Sequence, residues 1–233
     1  MEKGDDAGDT NLDFAEALAN CVHDIKNSAG VVMNAADALA SAGGGSELDP
    51  HVASLQTESR HINHNLMHLL GLYKLERSGC GIARDIVDCD ELILELEAHN
   101  DPLLASRGIS FASGADDSIE GYFDRELVLG ILNSAINNAQ RYARGTVRVA
   151  ANIDDGYTVL SVDDDGVGYP GDVLEECRSG QFGKTSYRGG STGLGLFFAR
   201  RIASMHRHRD RVGRVTLSND GIGGGASFRL WLP

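Results

Sequence analysis

The first third of the chain carries apolar residues at a spacing that a packed helix explains. They alternate in steps of four and three, at Leu18, Val22, Ile25, Ala29, Val32, Ala36 and Leu39. A mean step of about 3.5 residues places all of them in one seam along one side of a helix. The seam stops at residues 41–50, SAGGGSELDP, because the glycines and the proline cannot continue a helix.

A second seam follows, at Leu55, Ser59, Ile62, Leu66, Leu69 and Tyr73, and it ends near residues 78–81. Two such helices joined by a short turn form an antiparallel hairpin that cannot bury both seams alone. We therefore expect a homodimer in which two hairpins build a four-helix bundle. Residues 1–13 are polar and acidic, which predicts a flexible N-terminal tail.

The sequence changes character after the second seam. Segments 90–108 and 124–143 have helical patterns, and segments 145–153, 157–165, 213–219 and 226–233 are patterned as strands. A purely helical region followed by a mixed region predicts two domains, residues 14–79 and 84–233. The predicted fold class is therefore a helical hairpin followed by an α/β domain.

Composition excludes several classes of protein. The chain has 233 residues, of which 42% are hydrophobic, as in folded globular proteins. Its net charge of −13 repels a phosphate backbone and argues against nucleic-acid binding. No apolar run approaches the ~18 residues that a membrane span needs. The cysteines, Cys21, Cys80, Cys89 and Cys177, lack metal-site spacing, so we expect reduced thiols in a cytoplasmic protein without membrane contact.

A histidine on the first helix is a candidate nucleophile. His23 directly follows the seam residue Val22, so its imidazole should reach solvent from the side of the bundle. An imidazole is nucleophilic at neutral pH, and the carboxylate of the neighbouring Asp24 can hold the ring and take up a proton. On this helix alone, an ordinary exposed histidine is the favoured interpretation.

The second domain contains three elements suited to a nucleotide. Asn138 and Arg141 share one face of a predicted helix, where an amide oxygen suits Mg²⁺ and a cation suits phosphate. The segment VDDDGVG at residues 162–168 ends a strand with carboxylates and a turn with glycines. A glycine-rich loop then enters a helix at residues 189–203, where free N–H groups can bind phosphate.

Together these motifs resemble the kinase core of two-component sensor histidine kinases. The segment HDIKN at 23–27 resembles the phosphoacceptor box, NNAQRY at 137–142 the N box, DDDGVG at 163–168 the G1 box, Phe182 the F box and TGLGL at 192–196 the G2 box. The similarity extends over residues 14–233. It implies a GHKL-type α/β sandwich, with a mobile ATP lid at about residues 170–191.

The resemblance implies a role for each matching residue. His23 would be phosphorylated, Asp24 would orient it and accept its proton, and Asn27 would act in dephosphorylation of a partner. Asn138 would bind Mg²⁺. The other residues would bind ATP: Arg141 and Tyr142 at the phosphates and lid, Asp164 at the adenine amine, Gly166 and Gly168 beside the ring, Phe182 and Thr192 within their boxes, and Gly193, Leu194, Gly195 and Leu196 around the phosphates.

The implied function is a histidine kinase that passes phosphate from His23 to an aspartate on a response-regulator receiver domain. Two alternatives remain: a dimeric histidine phosphotransferase with a degenerate ATP domain, and a GHKL serine kinase or ATPase switch. No sensor segment precedes Phe14, so we expect either a cut-out core or a signal from a separate sensor protein.

Some positions depart from the family pattern. Ser134 lies four residues before Asn138, where the family has a second asparagine or another polar residue, and Asn133 is one residue out of phase. The basic segment 205–214, MHRHRDRVGR, is predicted to be a solvated loop, with a docking patch for an acidic partner as the less favoured alternative. Three histidines at helical spacing, His61, His64 and His68, are predicted to lie on the surface.

Overall fold

A computed structural model describes residues 82–115, 119–179 and 194–233, together with isolated positions in the first 81 residues. The chain divides into two compact units, Met1–Arg77 and Ser78–Pro233. Among the described residues, no helix is long and apolar enough to cross a membrane.

In the first unit, the described positions are all helical. Those on the predicted seams are half-buried, namely Ile25, Ala29, Val32, Leu39, Leu55 and Ile62. Val31 and Asn34 lie off the seam and are exposed. This distribution fits amphipathic helices. The pairing of the helices, the dimer, and the candidates His23, Asp24 and Asn27 lie outside the described residues, as do His61, His64 and His68.

The second unit contains four described helices and nine described strands. The helices are α1 (Cys89–Ala105), α2 (Arg125–Tyr142), α3 (Gly171–Ser179) and α4 (Leu194–Met205). The strands are β1 (Asp85–Asp88), β2 (Ser110–Ala115), β3 (Glu120–Phe123), β4 (Thr146–Asp154), β5 (Tyr157–Asp164), β6 (Arg207–His208), β7 (Arg211–Val212), β8 (Arg214–Ser218) and β9 (Ser227–Leu232). The expected helices and strands are confirmed, and α3 occupies the start of the predicted lid.

The centre of this unit is a five-stranded sheet in the order β2-β4-β5-β9-β8. Only β2 and β4 are parallel; the other neighbours are antiparallel. In β4, Val147 and Val149 are buried under the helices, whereas Arg148 lies on the opposite, open face and is half-exposed. One face covered by helices and one open face make a two-layer α/β sandwich, as the resemblance implied.

Helix α2 begins where the side chain of Asp124 accepts a hydrogen bond from the Leu127 N–H at 3.1 Å. Such a cap satisfies one of the N–H groups that a helix start leaves without a partner. Val128, Leu132 and Ile136 then recur every four residues and are buried to 1% exposure or less. The sequence therefore fixes both where α2 starts and which of its faces enters the core.

The prediction of a solvated loop at residues 205–214 is wrong at His206, which is only 1% exposed. Its Nε2 accepts the Asp124 N–H at 3.1 Å, so Nδ1 carries the proton and donates to the Ile202 carbonyl at 2.9 Å. A neutral imidazole thus joins the end of α4 to the start of α2. Around it, β6 and β7 form a short exposed hairpin instead of an irregular loop.

Acidification should weaken this contact. Burial lowers the pKa of His206, and the charge of Arg84 adds to this effect, while the Ile202 carbonyl and Asp124 oppose it. Because the unfolded chain then binds the proton more readily, the contribution of His206 to stability is complete above about pH 6.5 and is lost as the pH falls below it.

We expect the stability advantage of the wild type over His206→Gln to shrink between pH 7 and pH 5, by at most about 1.4 kcal/mol per pH unit. Denaturant titration, followed by the fluorescence of Trp231, the single tryptophan, measures this difference. The exposed His208→Gln is the matched control and should leave the pH dependence unchanged. If the stability difference between the wild type and His206→Gln stayed constant with pH, the conclusion that His206 is uncharged in the folded protein would be contradicted.

Candidate functional site

The site is built around Asp164, the last residue of the central strand β5. Its side chain is 4% exposed, on the face of the sheet that the helices cover. Oδ1 accepts the N–H of Gly166 at 2.8 Å and the N–H of Ala226 at 3.2 Å. Its own N–H donates to the Ala226 carbonyl at 2.9 Å. The carboxylate is therefore held by the backbone on both sides.

Only one oxygen of Asp164 is used in this way. Among the described residues, no donor reaches Oδ2, which leaves a fixed acceptor facing the helix layer. Burial raises the pKa of Asp164, the two N–H donors oppose that effect, and the charges of Asp165 and Asp163 reinforce it. A buried carboxylate with a free acceptor is suited to an amine donor from a ligand.

Two glycines let the backbone approach this carboxylate. A Cβ at Gly166 would lie 2.4 Å from the Tyr142 carbonyl oxygen, and one at Gly225 would lie 2.1 Å from the Asp164 carbonyl oxygen. Both contacts are with backbone atoms, which cannot move aside locally. The G1 turn therefore packs directly on the end of α2 and on the loop between β8 and β9.

The next residues of the G1 turn are fixed from the same loop. Gly168 has a positive φ of 78°, and a Cβ there would meet the side chain of Asn219 at 2.7 Å. Asn219 accepts the Tyr169 N–H at 2.7 Å and donates to the Tyr169 carbonyl at 3.0 Å. Asn219 thus has a positioning role that the sequence reasoning missed.

Asp165 has a structural role, in contrast to its neighbour. Its Oδ1 accepts the N–H groups of Arg144 at 2.8 Å and Gly145 at 3.1 Å, directly after α2. Burial is the largest single influence on Asp165 and raises its pKa, but the backbone donors together outweigh burial and hold the pKa below the usual value. Asp165 is therefore engaged with the protein, and Asp164 remains the carboxylate that can serve a ligand.

The N-box helix α2 presents different residues to its two neighbours. The side chain of Asn133 accepts a hydrogen bond from Asn100 of α1 at 2.9 Å. Ser134 points instead to the start of α4, where a Cβ on Gly195 would lie 2.8 Å from the Ser134 hydroxyl. The small serine allows α4 to approach closely. Asn133 therefore contributes to the packing of α2 on α1, and Ser134 to the packing of α2 on α4.

Asn138 lies one turn after Ser134 on the same side of α2. It is half-buried, and its amide makes no hydrogen bond to a described residue. An amide oxygen in that position fits a Mg²⁺ ligand. No group of three or more acidic, histidine or cysteine residues in the described ranges could hold a metal instead. Arg141 and Tyr142 follow and are exposed.

Only some of the remaining candidates lie within the described residues. Gly195 and Leu196 lie half-buried in the first turn of α4, which begins at Leu194. Phe182, Thr192 and Gly193 lie outside the described residues. The structure thus brings Gly166 against Tyr142 and Asp164, and Gly195 against Ser134, which lies one turn before Asn138.

Residues 123–233 match the family described as histidine kinase-, DNA gyrase B-, and HSP90-like ATPase. The two-component sensor PhoQ of Pseudomonas aeruginosa is 27% identical over 218 residues, covering 93% of this chain and 46% of PhoQ. The sensor histidine kinase GtrS of the same organism is 34% identical over 141 residues, 59% of this chain and 27% of GtrS. Residues 123–233 belong to this ATPase family, and the chain as a whole is similar to the catalytic core of two-component sensor histidine kinases. It spans less than half the length of either relative.

Solved structures show the same fold for this kinase core. The histidine kinase AdeS of Acinetobacter baumannii has a TM-score of 0.63 at 16% identity, covering 90% of this chain and 96% of AdeS. Full-length ShkA in complex with AMPPNP has a TM-score of 0.60 at 19% identity, covering 94% of this chain and 45% of ShkA. The α/β domain therefore has the GHKL fold.

The buried charge of Asp164 should lower the stability of the folded domain and strengthen ATP binding. The variant Asp164→Asn tests both effects. The amide oxygen can keep both backbone hydrogen bonds, while the buried charge disappears. Because the folded pKa of Asp164 is raised, its charge destabilises the kinase core at neutral pH. We expect the variant to unfold at higher denaturant concentration at pH 7, with the gain vanishing in acid, by Trp231 fluorescence. Affinity for ATP should fall by about 10- to 100-fold, because an amide N–H would face the adenine amine.

Gly166→Ala tests the close approach of the G1 turn. A methyl group 2.4 Å from the Tyr142 carbonyl should force the turn away from α2 and lower ATP affinity at least about tenfold. Gly130→Ala, inside α2 with no atom within 4 Å, is the matched control. It should stabilise the helix by about 0.5 to 1 kcal/mol and leave ATP affinity unchanged. Equal affinities for ATP in the two variants would contradict the description of this turn.

Proposed function

We propose that the protein is an ATP-dependent kinase that phosphorylates His23 and passes the phosphoryl group to an aspartate of a response-regulator receiver domain. The observation that carries the proposal is Asp164, a buried carboxylate with one oxygen fixed by the backbone and the other left as an acceptor. A site of this kind selects a ligand that presents an amine, as adenine does.

The site assigns a role to each element around a bound ATP. Asp164 accepts the adenine amine, and Gly166 and Gly168 leave room for the ring beside the backbone. Gly193, Leu194, Gly195 and Leu196 would contact the phosphates at the start of α4, because a helix start offers N–H groups that have no partner within the helix. Asn138 would hold Mg²⁺, which neutralises phosphate charge when bound. Arg141, Tyr142, Phe182 and Thr192 would complete the phosphate and lid contacts.

The proposed chemistry is a direct displacement at the γ-phosphorus of ATP. The unprotonated imidazole nitrogen of His23 forms a bond to phosphorus as the bond to the bridging oxygen breaks, and ADP leaves with that electron pair. The other ring nitrogen then gives its proton to Asp24, which leaves a phosphoramidate with a neutral imidazole ring and a negatively charged phosphoryl group. The protein contributes mainly by positioning the groups.

In the second step, an aspartate oxygen of the receiver domain attacks the phosphorus, and the nitrogen–phosphorus bond breaks. His23 recovers its proton and is ready for another cycle. From its position in the phosphoacceptor motif, Asn27 would assist the opposing reaction, hydrolysis of the receiver's phosphoaspartate. A homodimer of helical hairpins, a cytoplasmic location and a signal from a separate sensor protein remain predictions.

Incubation with γ-labelled ATP and Mg²⁺ tests the proposal. The wild type should acquire acid-labile label, which His23→Gln abolishes while ATP binding remains. Asn138→Ala should lose the label as well. Asn133→Ala is the matched control on α2, because Asn133 faces α1 and its partner Asn100 keeps a second bond to the Leu96 carbonyl at 2.7 Å.

Each result that contradicts the proposal points to a different explanation. Label that survives acid would indicate a serine kinase, and acid-labile label on His23→Gln would exclude His23 as the acceptor. A wild type that binds no ATP would indicate a histidine phosphotransferase with a degenerate nucleotide domain.

A further inference from the structure

An ion pair lies on the open face of the sheet, directly behind the adenine-binding strand end. Arg148 of β4 and Asp163 of β5 are register partners. The guanidinium donates from Nη2 at 2.9 Å and from Nε at 3.3 Å, both to Oδ2 of Asp163. Asp163 is 5% exposed, and its other oxygen, Oδ1, is buried without a described partner. Arg148 is thus the cation that balances a buried carboxylate.

Asp163 and Asp164 are consecutive residues of one strand, so their side chains point to opposite faces of the sheet. Only the backbone separates the two carboxylates. Within the described ranges, the titratable groups that act on Asp164 are Asp163 on its strand, Asp165 in the turn and the half-buried phenol of Tyr169 beyond it. None of these is a cation, so positive charge must come from elsewhere to offset the repulsion.

The ion pair is not needed to hold the strands together. β4 and β5 are already joined from Val147 to Asp154 in an unbroken antiparallel register. The Arg148 side chain is 48% exposed, and ion pairs of exposed arginines contribute little to stability. The effect of Arg148 on the charge of Asp163 is larger than its effect on stability. Without this cation, the charge of the buried carboxylate would act on neighbouring groups without compensation.

We propose that Arg148 is a positioning residue for nucleotide binding, which neutralises Asp163 behind the strand so that Asp164 meets the adenine amine as a carboxylate. This inference rests on the proposed function. Arg148 contacts neither ATP nor Asp164 in this scheme and acts through the charge of Asp163 alone. ATP affinity should consequently depend on Arg148 more strongly in acid than in base.

The experiment is to measure ATP affinity calorimetrically from pH 5.5 to pH 8 on the full chain. Arg148→Gln should shift the acid loss of ATP binding to higher pH by about 0.5 pH unit, so that the variant binds ATP more weakly than the wild type on the acid side of the range and nearly normally at pH 8. Arg148→Lys should restore the wild-type profile. The double variant Arg148→Gln/Asp163→Asn should restore it as well, because no uncompensated charge remains.

Arg229→Gln is the matched control. Arg229 lies on the same open face and pairs with Asp220 at 2.9 Å, away from Asp163, so its loss should not change the pH profile. A loss of affinity that is equal at every pH, or that the double variant fails to repair, would overturn the inference and assign Arg148 a purely structural role. A wild type that binds no ATP at any pH would instead refute the proposed function itself.

Discussion

The two hydrogen bonds that Asp164 Oδ1 accepts from backbone N–H groups determine how the site is assembled. Gly166 and Ala226, the donors, come from two loops distant in sequence, and their close approach depends on the glycines at 166 and 225, where a Cβ would meet backbone atoms. Gly166 lies against the Tyr142 carbonyl, so the same contact sets where α2 ends. The carboxylate thereby joins strand, turn, helix end and closing loop into one unit before any ligand binds.

Three consecutive aspartates have different roles here because each lies in a different backbone setting. Asp163 faces the open side of β5, where Arg148 balances it, and Asp164 faces the helices. Asp165 lies beyond the strand and binds the backbone after α2. Strand alternation separates the first two, and the turn separates the third. Residue type alone does not assign these roles, whereas backbone position does.

The sequence predicted the elements whose patterns are strong. Alternating residues such as Val147 and Val149 revealed β4, and the apolar period of α2 revealed its buried face. Strand β2, SFASGA, was missed because small residues at a sheet edge carry little alternation. His206 was misplaced because a basic segment conceals one buried imidazole, and Asn219 had no motif. The roles of Ser134 and Asn133 depended on helix packing, which local patterns do not contain.

The burial and charge of Asp164 also explain why a bound ligand would stabilise this site. At neutral pH the Asp164 carboxylate is buried beside like charges, and the free oxygen lacks a donor in the described part of the chain. In the proposed function, an adenine amine would supply that donor in a place from which water is largely excluded, where a hydrogen bond to a charge is strong. Ligand binding therefore relieves a strain that the fold alone leaves in place. Because only the folded domain presents this arrangement, bound nucleotide must also stabilise it against unfolding.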